Sequence, residues 1–507
     1  MSKRLSQLEK ELTDAQRMGN SSNPEIQGIS HDTRTVRKGE LFICIPGFKQ
    51  DGHEFAGKAI QSGATALVVQ KPLQQFLSVP QLMVSDSRKA EAVLSAAFFD
   101  YPSRKIKLIG ITGTNGKTTT TYFIESILKT AGYKPGVIGT VTYRYADKTI
   151  EAHNTTPSSL ELNQIIFEMV KSGCDHLVME VSSHALALGR VDGIDFDYAV
   201  FTHITRDHLD FHGTMEKYLE AKCLLFSKVG QDYDKGFSKK SIINIDDPHS
   251  STVIQSSSAP VITYGLNDKA AVHAEHIDVK PNGLQFQAVT PNDKADIKLK
   301  LAGSFNVYNS LASVATCLSL NIPLDVIKQG LENLSYVPGR FQLVNRGQPF
   351  AVIVDYAHTD DALLNLLKSA RQITKGKLIV VFGAGGDRDR GKRPMMGEVA
   401  VKLADKLIIT SDNPRTEDPA TIALDIEIGV KRIPQAEKRY VVILDREEAI
   451  QKALYSAKPS DTVVIAGKGH ENYQVFADQT IHFDDSEIAA KYLEEITGNI
   501  KVGAHTN

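Results

Sequence analysis

The 507-residue chain has only four cysteines, Cys44, Cys174, Cys223 and Cys317, scattered without metal-ligand spacing. They are expected to be reduced thiols in a cytosolic protein. An excess of charge of one sign is also missing. The 58 Lys and Arg stand against 60 Asp and Glu, so nothing favours a nucleic-acid or membrane-surface partner. No apolar run reaches the roughly 20 residues that span a bilayer. The first residues are charged, with Leu5, Leu8 and Leu12 at amphipathic spacing, and no secretory leader is expected. Repeats and low-complexity tracts are lacking. What is left is an ordinary globular balance, 42% hydrophobic and 23% charged, at a length that suits two to four domains.

The most informative stretch is 106–121. An apolar run, Ile106 to Ile111, reads as a buried strand. The turn Gly113-Thr114-Asn115-Gly116-Lys117-Thr118 follows, and then a helical pattern with Phe123, Ile124, Ile127 and Leu128 on one side. Strand, glycine turn, Lys-Thr and helix make the layout of a phosphate-binding loop. The backbone amides and the helix N-terminus, including Thr119, would surround a phosphate. Lys117 would reach the outer phosphates, and the Thr118 hydroxyl would sit on Mg²⁺. Only Thr114 and Asn115 separate the two glycines, so the loop is shorter than the usual four-residue spacing.

Taken in order, the chain reads as α/β in three domains. Residues 1–105 form a small unit with strands at Leu41–Ile45, Ala64–Val69 and Leu82–Val84. Pro102 with Arg104 and Lys105 marks a linker. Residues 106–337 form a central unit with a mostly parallel sheet, its strands recurring at His176–Val181, Ala199–Ile204, Ile242–Ile245 and Val261–Tyr264. The alternating segments Ile277–Val279, Leu284–Val289 and Ile297–Leu301 predict an antiparallel edge, with Pro281-Asn282-Gly283 as a hairpin turn. Residues 338–507 form a third, Rossmann-like unit with five apolar strands. Polar clusters follow four of them: Asp355 to His358, Gly385 to Arg388, Asp412 to Arg415, and Gly467 to Glu471. Ligands of open α/β sheets bind at such strand ends.

Glu180, at the end of a buried strand, is a natural Mg²⁺ ligand, because that ion takes one or two carboxylates besides phosphates and water. The loop Thr202 to Asp210 is dense in His, Asp and Arg, and His208 is the candidate second metal ligand. By pattern alone Lys222 is a helix-surface lysine.

Five motifs stand out together: Thr112 to Thr118, Glu180-Val181-Ser182-Ser183-His184, Arg206 to Asp210, Phe305-Asn306-Val307-Tyr308-Asn309 and Pro338-Gly339-Arg340-Phe341. As a set they resemble the Mur ligases, the ATP-dependent amide ligases of peptidoglycan precursor synthesis. The resemblance covers nearly the whole chain. Within the family the chain looks like the members that add the third residue to UDP-MurNAc-L-Ala-D-Glu, as judged by Asp355-Tyr356-Ala357-His358, Gly386-Asp387-Arg388 and Asp412-Asn413-Pro414-Arg415. The family carries a carbamylated lysine where Lys222 falls. There a CO₂-derived carbamate would turn a cation into an oxygen ligand for a second Mg²⁺, and this reverses the surface reading. Lys117, His208 and Lys222 are thus the expected catalytic residues. Asn306 matches the adenine segment, while Arg340 and Asp355 match residues brought to ATP. Asn154, Thr155, Thr156, Ser182 and Arg190 match positions that hold the muramoyl dipeptide. Ser30 and Thr33 fall in the segment for the uridine end.

Asp412-Asn413-Pro414-Arg415 resembles the motif of the members that use meso-diaminopimelate, and the resemblance implies that amine. Its second amino-acid head carries a carboxylate and an ammonium. Arg415 can take the carboxylate in a bidentate fork with help from Arg388, and Glu471 can take the ammonium. Asp412, Asn413, Pro414 and Gly467 complete the implied subsite. L-lysine lacks the distal carboxylate and would leave Arg415 unpaired. A lysine-adding ligase, a folylpolyglutamate-synthetase-like ligase and a nucleotide switch are the alternatives. The expected partners are small molecules only, with no nucleic acid and no membrane, and the chain is expected to act as a monomer.

Overall fold

The strand Lys107–Thr112 lies in the interior of an eleven-stranded sheet, between His176–Glu180 and Tyr198–Phe201 and parallel to both. All three therefore end at one edge of the sheet, which brings the glycine turn, Glu180 and the 202–210 loop together. In the computed structural model the described residues are 1–47, 50–230, 233–280 and 283–504. Parallel strands covered on both faces must be apolar throughout, and Leu108, Ile109 and Ile111 are buried accordingly. One face packs on helices Lys117–Thr130, Phe305–Ser319 and Leu324–Asn333. The other packs on helices Ser159–Lys171 and Met215–Lys228.

The expected antiparallel edge is present as strands Val272–Lys280, Gly283–Val289 and Lys294–Leu299. Its first turn falls on Pro281 and Asn282, outside the described residues. A second hairpin, Thr142–Tyr145 with Lys148–Glu151, closes the opposite edge. The sequence reading missed it because Lys148–Glu151 is exposed throughout and has no apolar alternation.

The N-terminal sheet has five strands in mixed directions. The expected linker is instead a packed joint. Pro102–Lys105 is a 3₁₀ turn whose Pro102 and Ser103 are buried, and Arg104 Nε donates to Asp195 Oδ2 at 3.0 Å.

The C-terminal sheet has the five expected strands in parallel, plus the short antiparallel Gln342–Leu343 at one edge. Behind its ligand edge lies a buried pair. Arg446 donates to both Asp485 oxygens at 2.7 Å, to Ser411 O at 3.2 Å and to Ala466 O at 3.1 Å. Arg446→Met would leave Asp485 charged and unpaired in the interior, at an expected cost of about 3–5 kcal/mol. Urea denaturation of Arg446→Met should show that loss, and Arg446→Met/Asp485→Leu should recover most of it.

Candidate functional site

The glycine turn is shaped by close approaches. Gly113 sits at φ +150°, and a Cβ there would lie 1.8 Å from Thr202 Oγ1. Thr202 Oγ1 instead donates to Asn115 O at 2.7 Å, tying the turn to the neighbouring strand end. Lys117 Nζ donates to Gly113 O at 2.8 Å and to Thr114 O at 2.9 Å, so the amine lies across the mouth of its own loop. Burial lowers its pKa, opposed by Glu180. Thr114 Oγ1 and Tyr218 Oη share a hydrogen bond at 3.1 Å, a link from a distant helix that no motif signalled.

Glu180 gathers a set of hydroxyl and amide donors. Thr118 Oγ1 donates to Oε2 at 3.0 Å, as does Thr140 Oγ1 at 3.0 Å, and Thr140 N–H donates to Oε1 at 2.9 Å. Arg340 Nη2 reaches across from the C-terminal unit and donates to Thr118 Oγ1 at 3.0 Å. A hard divalent cation fits the Thr118 and Glu180 oxygens. Among the described residues no cluster of three His, Cys, Asp or Glu side chains could hold a metal. Any ion here would therefore draw further ligands from phosphate and water.

Lys222 is 1% exposed, which overturns the surface reading. The helix Met215–Lys228 buries Tyr218, Ala221, Lys222, Leu225 and Phe226, and Lys222 stands on that stripe. The spacing of these residues carried the signal: a lysine at the core position of an amphipathic helix. Its Nζ lies 4.3 Å from the Tyr218 ring centroid. Among the described residues it forms no ion pair with a carboxylate. Burial, reinforced by Lys117, lowers its pKa well below the ordinary value. A neutral buried amine is the form that adds CO₂, so the site fits a carbamate. His208, in left-handed backbone at φ +54°, packs edge-on against His184 at 4.7 Å. Burial lowers its pKa to about 3, against the pull of Asp207, and leaves the ring neutral as a metal ligand must be.

Two large cavities meet at this point. One, of about 510 Å³, lies between the central and C-terminal units and is lined by Asn115, Gly116, Thr119, Tyr264, Asn309, Arg340 and Asp355. Asn306 stands behind its wall. The Asn306 amide donates to Ala302 O at 2.7 Å and accepts from Asn309 Nδ2 at 3.0 Å, so the second Asn of the motif faces the cavity and the first braces it. Asp355 accepts the N–H groups of Phe341 at 2.6 Å and Ala357 at 2.8 Å. The other cavity, of about 660 Å³, holds Asn154, Thr155, His208, Arg388, Asp412, Asn413, Arg415, Gly467 and Glu471. A chamber of about 140 Å³ shares walls with both, and Lys117, Thr118, Glu180 and Ser182 line it.

In the polar cavity Arg415 Nη1 donates to Gly386 O at 2.7 Å. Pro414 contributes backbone, since its carbonyl packs against Gly386. Glu471 already has two partners, Asn413 Nδ2 at 2.8 Å and the buried Lys468 Nζ at 3.2 Å. Burial and the neighbouring Asp412 raise the Glu471 pKa. Burial also opposes the Asp412 charge, but Lys468 and Arg446 outweigh it and hold that carboxyl below its usual range. Lys468, inside the Gly467 to Glu471 cluster, is thus a cation beside the site to which the sequence reading gave no role. On the cavity walls His358 was likewise named in a cluster without a role, and Lys392 was missed.

The remaining residues form a path leading away. Thr156 Oγ1 donates to Glu180 O at 2.8 Å and accepts from Ser182 N–H at 3.0 Å, while Arg190 Nη1 donates to Thr156 O at 3.1 Å. Ser30 and Thr33 lie at the end of the N-terminal strand Gly28–Ser30, and neither lines the two large cavities.

Three family models match the chain: "Mur ligase family, catalytic domain" over residues 25–100, "Mur ligase middle domain" over 111–317, and "Mur ligase, glutamate ligase domain" over 339–469. The UDP-N-acetylmuramoyl-L-alanyl-D-glutamate–2,6-diaminopimelate ligase of Geobacillus thermodenitrificans is 50% identical over 473 residues, 93% of this chain and 96% of that relative. A solved structure described by the same ligase name is 32% identical with a TM-score of 0.65, covering 93% of this chain and 95% of its own. The MurF ligase of Thermotoga maritima in complex with ADP shares the fold at 18% identity and a TM-score of 0.61, covering 92% and 97% of the two chains.

Proposed function

The chain belongs to the Mur ligase family, and from that premise we propose that it joins meso-2,6-diaminopimelate to the D-Glu side-chain carboxylate of UDP-MurNAc-L-Ala-D-Glu at the expense of ATP. The observation that carries this reading is the small chamber at Lys117, Thr118 and Glu180. It joins a nucleotide-sized cavity to a polar cavity that contains Arg415 and Glu471.

A carboxylate is a poor acyl donor because oxide would have to leave. In the proposed reaction the D-Glu carboxylate attacks the γ-phosphorus, ADP leaves and an acyl phosphate forms. The amine then attacks the carbonyl carbon, and phosphate departs through a tetrahedral intermediate. Lys117 offsets the charge of the two anions that must meet. Thr118 and Glu180 would hold one Mg²⁺, and His208 with the carbamate of Lys222 a second. These ions supply positive charge for the transferred phosphoryl group. Arg340 and Asp355 come to the nucleotide from the C-terminal unit, so closure of that unit on the central one completes the site and excludes water. Asn154, Thr155, Thr156, Ser182 and Arg190 lead from the chamber toward the N-terminal unit, where Ser30 and Thr33 would meet the uridine end.

In this division, residues 1–105 take the UDP end, 106–337 take ATP and 338–507 take the amino acid. Arg415 and Arg388 receive the distal carboxylate and Glu471 the ammonium. The protein would work as a cytosolic monomer. Among the described residues no helix is long and apolar enough to cross a membrane.

The test is phosphate release from ATP with the UDP-muramoyl dipeptide and, in turn, diaminopimelate, L-lysine and L-ornithine. Diaminopimelate-dependent release with little turnover of the other two is expected. No release with any amine would refute the ligase reading, and preference for L-lysine would refute the amine assignment.

A further inference from the structure

The two arginines of the amine pocket stand on loops that run against each other. Arg388 follows strand Leu378–Phe382, and Arg415 follows strand Lys406–Ile409. Gly386 N–H donates to Asn413 O at 2.9 Å, and a Cβ on Gly386 would lie 1.9 Å from Pro414 O. Since Arg415 Nη1 donates to Gly386 O at 2.7 Å, the aim of its guanidinium depends on the backbone of the other loop.

That backbone is held in an unusual conformation. Asp387 and Arg415 both sit at φ +53°, a region that Asp tolerates better than most residues and that Arg keeps only when neighbours hold it there. Asp387 is held from both ends. Its Oδ1 accepts the Thr416 hydroxyl at 2.7 Å, and its N–H donates to Glu417 Oε1 at 2.6 Å. Glu417 is itself gripped by Arg393, which donates Nη1 to Oε2 at 2.9 Å and Nη2 to Oε1 at 2.7 Å. Arg393 is fully buried on helix Lys392–Leu403 and also donates to Gly385 O at 3.1 Å. The anchor is thus a rigid helix, and the chain of contacts runs from Arg393 through Glu417 and Asp387 to the two arginines. Neither Asp387 nor Glu417 lines the polar cavity.

We propose that Asp387 and Glu417 are positioning residues for amine selection, locking the loops 383–389 and 411–417 together so that Arg388 and Arg415 present one fixed fork to the distal carboxylate. The inference rests on the diaminopimelate reading above. A bidentate carboxylate contact is steep in angle and distance. Loosening the lock would therefore harm the substrate that uses the fork and spare one that does not.

Full-length Asp387→Ala and Glu417→Gln test this with diaminopimelate and L-lysine as alternative amines. Asp387→Ala removes the acceptor for Thr416. Glu417→Gln turns an amide donor toward Arg393. In each, the KM for diaminopimelate should rise about tenfold or more with the KM for ATP within about twofold, and the kcat/KM ratio of diaminopimelate to L-lysine should fall about tenfold. Asp387→Asn keeps the acceptor and tolerates left-handed backbone, so it should return the diaminopimelate KM close to wild type. A merely structural role would lower the melting midpoint or the active fraction and leave the ratio alone. An unchanged ratio in both variants overturns the proposal. If Asp387→Ala fails to fold, Glu417→Gln decides alone. Wild-type enzyme that turns over diaminopimelate while the variant ratio stays fixed refutes only the positioning role. Wild-type enzyme that ignores diaminopimelate refutes the amine reading itself.

Discussion

Lys222→Ala is expected to lower kcat by about 10³-fold or more while the protein stays folded. The loss follows from charge. The lysine is buried, and burial disfavours its charged form, so as a free amine it is a poor source of positive charge and offers no anionic ligand. As a carbamate it would offer two oxygens beside His208 to a second Mg²⁺. Removing one preorganised electrostatic contact at a developing charge typically costs about 10²–10³-fold, and here a whole ion would go with it. About 10³-fold corresponds to about 4 kcal/mol of transition-state stabilisation. Truncation also leaves a cavity next to Tyr218, which a small carboxylic acid can enter. Acetate or formate should therefore restore part of the activity to Lys222→Ala and none to Lys117→Ala. Steady-state phosphate release with and without the acid is the measurement, and full activity in the unrescued variant would exclude the carbamate role. Because a buried unpaired lysine is itself unfavourable, the melting midpoint of Lys222→Met should match or exceed that of wild type.

Arg415→Ala should raise the KM for diaminopimelate by about 10–100-fold and leave the KM for ATP unchanged. A charge-assisted pair contributes about 1.5–3 kcal/mol, which sets that range. The two cavities explain the separation of effects: Arg415 lines the polar one and has no place in the wall of the other. L-lysine has no distal carboxylate, so its KM should move little and the preference between the amines should narrow. Competition between the two amines in one assay reads this directly. An unchanged diaminopimelate KM would show that the distal carboxylate is held elsewhere, with Arg388 or Lys468 the next groups to test.

Much of the architecture was legible because parallel strands covered on both faces leave continuous apolar runs, as at Leu378–Phe382. The hairpin Lys148–Glu151 was not legible, because an exposed edge carries no such run. In the site, the glycine turn, Glu180 and His208 stood out as motifs at strand ends. Lys222 was misread by pattern although its position on the Tyr218–Leu225 stripe marked it as buried. Asn306 and Asn309 sit three apart on one helix and are both polar, so spacing did not say which one faces the cavity. The Asn306 bond to Ala302 O decided that. Thr140 and Tyr218 belong to no motif and were found only through their contacts, and Lys468 lay in a strand-end cluster without a role until its contacts gave it one.

The sequence by itself determined the short glycine turn, and with it the layout of a phosphate-binding loop: the backbone takes positive φ at Gly113 and Gly116, and only glycine does so without strain. It also determined which residue types end each strand. Only the tertiary structure decided that those ends share one edge, because the order of strands in a sheet is set by long-range pairing rather than by local pattern. It also decided that the charged form of Lys222 is disfavoured, since that depends on what surrounds the amine, and that Arg415 bonds to the backbone of another loop at Gly386 O.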